Sequence, residues 1–222
     1  PEFTGTISHS EASMEIAPYT NQKPNYGGSY DVLRGSTAYG FDMFPGLDYV
    51  NFDTDVPGTY SLTVPVTNTV FAGDFDENNV YYVIDNDLAE LYTVDLTTGV
   101  FTLVGSTLPL TDLAFDYTTN TMYAVGYDDV AGTTQLYTVD LATGATTLIG
   151  DSGVSLVISL ACDGNGDLYG FDIITDDLVA IDKASAALTI IGQVGFDGNY
   201  AQSMAWNPED DVIYMSSYNF TT

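Results

Sequence analysis

Residues 91–105 of the chain read LYTVDLTTGVFTLVG, and residues 136–150 read LYTVDLATGATTLIG. A third and looser copy, LVAIDKASAALTIIG, spans residues 178–192. In each copy an apolar segment ends in Asp, a corner of small residues follows, and a second apolar segment ends in Gly. In the first two copies the corner also contains a glycine, which can adopt the positive φ of a tight hairpin. Each copy therefore predicts two antiparallel strands joined by a short turn.

A second hairpin precedes each of these copies. It is marked by a tyrosine that recurs every 41 to 46 residues, at Tyr39, Tyr82, Tyr123, Tyr169 and Tyr214. Before each of the last four tyrosines, an apolar segment ends in Asp76, Asp116, Asp163 or Asn207, and a small polar turn follows. Asp and Asn at the start of a turn hydrogen-bond their own backbone, so these positions predict hairpin corners. The repeating unit therefore has four strands.

A fixed period of this length, built from short strands and turns, predicts an all-β protein, a β-propeller of four-stranded antiparallel blades. We expect about five blades, in repeats at residues 36–68, 69–108, 109–153, 154–196 and 197–222. Residues 1–35 are predicted to form an N-terminal arm, whose first three residues resemble a cloning-linker remnant. The last repeat contains only two predicted strands. We expect either that the natural protein continues past Thr222 or that the N-terminal arm supplies a closing strand.

The LYTVDLTTG and TLVG segments resemble the short propeller repeats of secreted and surface-attached bacterial proteins. The resemblance covers roughly residues 36–218. It implies the propeller architecture and very little about activity, because such propellers differ mainly in their loops.

The composition is extremely acidic, with 31 acidic residues, three basic residues and a formal net charge of −28. This charge repels nucleic acid and anionic membrane surfaces, so neither is an expected partner. No apolar run of about 18 residues could cross a bilayer, so no membrane insertion is expected. Few lysines and abundant Thr, Asn, Gly, Asp and Tyr predict an extracellular or cell-surface bacterial protein. The acidity itself fits either a solvating surface or clusters that hold divalent cations, and it does not indicate an oligomeric state.

Histidine-dependent catalysis is disfavoured because His9, in the N-terminal arm, is the only histidine. The only cysteine, Cys162, occupies the aligned column of Phe75, Phe115 and Trp206, which predicts a buried apolar role rather than a nucleophile. Carboxylate pairs remain possible, as in any acidic protein, and they are the chemistry that a glycosidase needs. We expect no enzymatic activity.

The segment Asp163-Gly164-Asn165-Gly166-Asp167 alternates oxygen-bearing side chains with glycines, as the start of a calcium loop does. Asp163, Asn165 and Asp167 are therefore candidate ligands for Ca²⁺, the only cofactor that the sequence suggests. The match ends there, since Leu168 and Ile174 stand where such a loop has Gly and Glu. The same segment is equally explained as a hairpin corner.

Two further sets of residues suggest recognition. Acidic loops between the second and third strands of the repeats are expected to project from one propeller face, at residues 85–87, 128–129, 172 and 176–177. Tyrosines outside the repeated column offer rigid apolar area with a polar tip, which suits binding of a ligand. The candidate ligand-binding tyrosines are Tyr117, Tyr127, Tyr200 and Tyr218.

The leading hypothesis is a non-catalytic binding or adhesion module of a larger secreted or cell-surface protein. Loops on one propeller face would recognise a protein or a carbohydrate. The first alternative is a carbohydrate-active hydrolase or lyase that uses carboxylates near the central channel. The second alternative is a structural spacer domain. Carboxyl groups of raised pKa at the channel mouth would favour the enzyme, an exposed Tyr/Phe patch would favour the binder, and neither feature would favour the spacer.

Overall fold

A computed structural model describes residues 37–42, 47–53, 59–153, 156–199 and 203–216. Within these ranges the regular structure consists of strands, and no α-helix is present. The seventeen strands are β1 (Thr37–Asp42), β2 (Asp48–Asp53), β3 (Tyr60–Pro65), β4 (Val70–Phe75), β5 (Tyr81–Asp85), β6 (Glu90–Val94), β7 (Phe101–Ser106), β8 (Asp112–Asp116), β9 (Thr121–Asp128), β10 (Thr133–Val139), β11 (Thr146–Asp151), β12 (Val157–Cys162), β13 (Leu168–Asp172), β14 (Asp177–Ile181), β15 (Leu188–Gln193), β16 (Ser203–Asn207) and β17 (Val212–Ser216).

The strands form five antiparallel sheets, which we call blades 1 to 5 in chain order. Blades 2, 3 and 4 are complete four-stranded meanders, β4 to β7, β8 to β11 and β12 to β15. Blade 1 contains β1 to β3, which match the second to fourth strands of the complete blades, and blade 5 contains β16 and β17. The repeated tyrosines occupy the same place in each complete blade, since Tyr82, Tyr123 and Tyr169 lie near the start of the second strand and pair with Asp74, Ala114 and Ala161 of the first. The predicted repeat is therefore confirmed.

The first strands of the blades surround a common axis. β4 contacts β8, β8 contacts β12, β12 contacts β16, and β16 also approaches β4. This arrangement makes the molecule a β-propeller, as the repeat period predicted. Apolar clusters fill the interfaces between successive blades, which explains why strands such as β8 and β12 are buried along their whole length.

Each blade has two ends that differ in structure. At one end lie the turns between its first and second strands and between its third and fourth strands, and we call this end the corner face. At the other end lie the loops between the second and third strands. We call these the tip loops, at residues 86–89, 129–132 and 173–176 in blades 2, 3 and 4.

The glycine that closes each copy of the repeat has a packing role. A Cβ atom added at Gly105, in the last strand of blade 2, would lie 2.0 Å from the backbone oxygen of Thr143 in the corner of blade 3. At Gly150, one blade further on, the corresponding contact is 2.7 Å to the backbone oxygen of Ser185. The corner of each following blade therefore rests directly on the backbone of the last strand, and a side chain there would separate the blades.

Several predictions concern residues outside the described ranges. The N-terminal arm (1–35) lies outside the described residues, so its closing strand and the domain boundaries stay predictions. In blade 5 the described strands are the first and second of the repeat. Cys162 is buried as expected, and desolvation raises the pKa of its thiol far above its ordinary value.

Candidate functional site

The three described tip loops share one construction. Each begins at an aspartate, Asp85, Asp128 or Asp172, whose Oδ1 accepts one or two backbone N–H groups that follow it in the loop. Asp85 accepts from Asp87 and Leu88, at 3.0 and 3.1 Å, and Asp128 accepts from the equivalent positions of its own loop at 2.8 and 3.0 Å. The last loop residue has a positive φ in every case, at Ala89 (52°), Gly132 (73°) and Asp176 (57°). These shared bonds and turns fix the shape of each loop.

Every tip loop presents one exposed aliphatic side chain. Leu88 is 59% exposed, Val130 97% and Ile174 63%. Carboxylates flank them in sequence, among them Asp87, Asp129 and Asp176. Because the loops occupy the same end of three successive blades, one face carries three exposed aliphatic side chains with carboxylates near them. The acidic residues of these loops were predicted from the sequence and the aliphatic ones were not, because they do not share one column: Leu88 is the third residue after Asp85, whereas Val130 and Ile174 are the second after Asp128 and Asp172.

Two of the four predicted ligand-binding tyrosines, Tyr117 and Tyr127, are within the described residues, and they lie at opposite ends of blade 3. Tyr117 is half-buried at the corner face, where its hydroxyl donates to the backbone oxygen of Phe75 at 3.2 Å. Its ring lies against those of Phe115 and Trp206, with centroids 4.9 and 5.9 Å away. Tyr127 is 44% exposed at the opposite end of β9. Tyr117 thus links blades 2, 3 and 5 near the axis, whereas Tyr127 stands beside a tip loop.

The two remaining candidates, Tyr200 and Tyr218, lie outside the described residues. Their part in binding stays a prediction.

The candidate calcium ligands form a hairpin corner. Asp163 Oδ1 accepts the backbone N–H groups of Asn165 and Asp167, each at 2.9 Å, and desolvation raises the pKa of Asp163. Asn165 and Asp167 are exposed. Across the described residues, no three His, Cys, Asp or Glu side chains converge on a point that could hold a metal ion. The corner interpretation accounts for these contacts, and calcium binding stays a prediction.

Two carboxylates near the axis were not predicted. The first strand of a blade has a free edge, so its backbone N–H groups need acceptors from elsewhere. Asp112 supplies them, because its Oδ1 accepts from Leu113 at 2.9 Å and its Oδ2 from Leu160 at 2.8 Å. Asp74 Oδ2 similarly accepts from Phe115 at 2.7 Å. Asp112 is fully buried and desolvation raises its pKa well above the ordinary range. Its oxygens hold blades 3 and 4 together.

A different contact joins blades 3 and 4 at the corner face. Lys183 Nζ donates to Asp116 Oδ2 at 2.5 Å and lies 5.8 Å from the centre of the Tyr123 ring. Desolvation alone would raise the pKa of Asp116, but hydrogen bonds from Lys183, Thr118 and Thr119 outweigh it and lower the pKa. The Asp116 side chain has no exposed surface, while that of Lys183 is 28% exposed. This is the only ion pair within the described ranges that involves a lysine.

No helix in the described part of the chain is long and apolar enough to cross a membrane.

Comparisons with solved structures agree on the fold. The chain has a TM-score of 0.52 and 17% identity to a structural genomics protein of unknown function from Bacteroides thetaiotaomicron VPI-5482, over 78% of this chain and 51% of that one. A chain of the nidogen/laminin complex gives 0.57 and 13% identity, over 82% of this chain and 70% of that one. The calcium-binding protein regucalcin from Agrobacterium tumefaciens str. C58 has a TM-score of 0.54 and 15% identity, over 82% of this chain and 64% of that one. This chain therefore spans about half the length of the Bacteroides protein.

The family comparison is more specific than the structural one. No curated protein matches the chain. The model of the family described as "Repeat of unknown function (DUF6923)" matches residues 53–182, which is more than half of the chain and includes blades 2 and 3 entire. The chain therefore belongs to this repeat family.

Proposed function

We propose that the chain is a non-catalytic binding module whose protein partner docks on the tip-loop face. The observation that carries this proposal is the repeated exposure of Leu88, Val130 and Ile174 on loops of one construction. Three blades each place an aliphatic side chain in solvent within the tip loop, two or three residues after the aspartate that begins it. Large apolar side chains exposed together on one face are typical of a surface that a partner covers.

The partner's chemistry follows from the charge around these side chains. The tip loops carry several carboxylates, and the whole chain has a net charge of −28. A partner with apolar groups at its centre and Lys or Arg at its rim would match this face. Complementary charge increases the association rate and disfavours acidic competitors. We place this partner at a cell surface or in the extracellular medium, in keeping with the composition of the chain.

A display library of random peptides provides a probe for this proposal. Peptides selected on the wild-type protein should contain aliphatic residues flanked by Lys or Arg. The triple variant Leu88→Ser, Val130→Ser, Ile174→Ser should weaken their binding by at least about tenfold, which is 1.4 kcal/mol. Raising the salt concentration should slow their association.

The chain offers a matched control. Leu103, Leu148 and Ile190 lie in the last strands of the same three blades and are 54, 53 and 68% exposed. Serine at these three positions should leave peptide binding unchanged. If both triple variants weaken binding equally, apolar stickiness explains it and the proposal fails. Glycan-array binding that survives the tip-loop variant would also overturn it, by placing recognition elsewhere.

A further inference from the structure

A cleft of about 570 Å³ lies between blades 2 and 3 at the corner face. Carboxylates of Asp76, Glu77 and Asp140 line it, together with the apolar side chains of Met122 and Leu141. This cleft is at the opposite end of the strands from the tip loops, so it is independent of the proposed function.

The repeat relates this cleft to the contact between blades 3 and 4. Asp76 occupies the column of Asp116 at the end of the first strand, and Leu141 occupies the column of Lys183 after the third strand. Between blades 3 and 4, the lysine side chain extends across the interface and places its ammonium group on the carboxylate. Between blades 2 and 3, leucine is too short and carries no charge. The position beside Asp76 therefore lies within the cleft.

The surroundings of Asp76 resemble those of Asp116 in other respects. Tyr82 takes the place of Tyr123, and it packs against the same interface as Leu141. Asp76 is only 5% exposed. Its Oδ1 accepts the backbone N–H groups of Asn78 and Val80 at 2.9 and 2.8 Å, while its Oδ2 receives the Asn78 side-chain amide at 3.4 Å, at the outer limit of a hydrogen bond. In Asp116 the corresponding Oδ2 accepts the ammonium of Lys183.

We infer that the cleft between blades 2 and 3 binds a primary alkylammonium group, in the place that the Lys183 ammonium takes between blades 3 and 4. The ammonium would donate to Asp76 Oδ2, with Glu77 and Asp140 adding to the negative potential. The alkyl chain would lie on Leu141 and Met122. Such a group could come from a lysine side chain of a partner protein or from a small diamine.

The test uses NMR titration of the isotope-labelled protein at low salt, with Nα-acetyl-lysine amide and cadaverine as probes. Saturable shifts are expected at the backbone amides of residues 76–80 and 140–144. An Nε-acetylated lysine amide, which has no charge, should produce none. Stronger binding of cadaverine would identify a diamine site, and stronger binding of the lysine amide would identify a lysine site; either result supports an ammonium site.

Asp76→Asn should weaken binding at least tenfold, because it removes the charge that the ammonium meets. The variant should fold, since Asn207 occupies the same column in blade 5 and its Oδ1 accepts the N–H of Glu209 at 3.0 Å. Asp95→Asn is the matched control. It removes one charge from an exposed corner outside the cleft, where the asparagine oxygen can still accept from Thr97 and Thr98.

Leu141→Lys provides an independent variant, because its own ammonium should occupy the position and abolish binding of both probes. The inference is overturned if the wild-type protein shows no saturable shifts at these residues. It is also overturned if Asp76→Asn and Asp95→Asn weaken binding equally, since attraction to the general negative charge would then explain the result.

Discussion

The interface between blades 2 and 3 and the interface between blades 3 and 4 share one arrangement of residues, but they differ in the contact made at the corner face. Both place an aspartate at the end of a first strand, a tyrosine in the second strand and a glycine in the last. They differ where Leu141 stands in one and Lys183 in the other. The lysine makes an ion pair with Asp116, whereas the leucine leaves a cleft beside Asp76. Equivalent positions of a repeat can therefore carry an ion pair in one interface and line a cleft in the next.

The largest expected effect comes from the glycines that the two interfaces share. Gly105→Ala should cost about 3 kcal/mol of unfolding free energy or more, because its Cβ would lie 2.0 Å from the Thr143 backbone oxygen. Gly150→Ala should cost less, since its closest contact is 2.7 Å. Urea denaturation measures both. Gly40→Ala, which meets nothing within 4 Å, is the control and should change stability by no more than about 1 kcal/mol. A larger loss of unfolding free energy for Gly150→Ala than for Gly105→Ala would contradict this account of packing.

The second largest expected effect on stability comes from the ion pair of Lys183 and Asp116. Lys183→Met should destabilise the protein by about 3 kcal/mol, because it leaves the buried Asp116 carboxylate without its cation. This is the low end of the range for buried pairs, since Lys183 is 28% exposed and Asp116 keeps its hydrogen bonds from Thr118 and Thr119. Chemical denaturation of the variant measures the loss.

Two further variants sharpen this measurement. Adding Asp116→Asn to Lys183→Met should recover part of the lost stability, because the buried charge is gone. Leu141→Met, in the same column of the other interface, should cost less than about 1.5 kcal/mol, since it conserves volume and no charge is involved. Equal losses of unfolding free energy for the Lys183 and Leu141 variants would show that the ion pair contributes no more than the leucine does.

The contribution of this pair should depend on pH in a definite direction. The folded state lowers the pKa of Asp116, so its stabilising contribution is present above the unfolded pKa, about 3.9 for Asp, and is lost as the pH falls through the folded pKa. Lys183→Met removes one cause of the lowering. The difference in unfolding free energy between wild type and variant should therefore be full at neutral pH and shrink below about pH 4.

Denaturation curves at a series of pH values test this dependence. A difference that stays constant into strong acid would mean that Asp116 is not the titrating partner. Comparing the variant with the wild type removes the contributions of other carboxyls, such as Asp112 and Asp163, whose pKa values are raised and whose pH dependence has the opposite sign.

The fold could be predicted because each repeat states the same pattern independently. The two strands predicted within residues 91–105 match β6 and β7 within one residue, and those predicted within residues 136–150 overlap β10 and β11. Alternation and turn residues suffice for this purpose, since every strand pairs with a neighbour close in sequence. Where the sequence deviates from the repeat, the other copies no longer support a prediction made from the local pattern.

The sites depend on contacts between blades, which the repeat pattern does not encode. Asp112 directly precedes the apolar residues of β8, and the hydrogen bond that it accepts from Leu160 joins residues 48 positions apart. The pair of Lys183 and Asp116 joins residues 67 apart. Tyr117 looked like an irregular loop tyrosine, and its ring proves to lie against Trp206 of blade 5. Which side of a blade each residue faces could have been inferred from the strand period, but which partner it meets could not.

The smallest expected effect is a gain in stability. Leu141→Lys would copy the closure of the blade 3–4 interface into the blade 2–3 interface, by giving Asp76 an ammonium partner. The gain should be at most about 1 kcal/mol, since an ion pair at the margin of a solvent-filled cleft is weak and the variant also gives up the burial of a half-exposed leucine. Thermal unfolding measures it, and Leu141→Gln, which has comparable length without charge, is the control. If lysine and glutamine give the same melting temperature, Asp76 does not recognise the ammonium, and the two interfaces differ in more than the residue at this position.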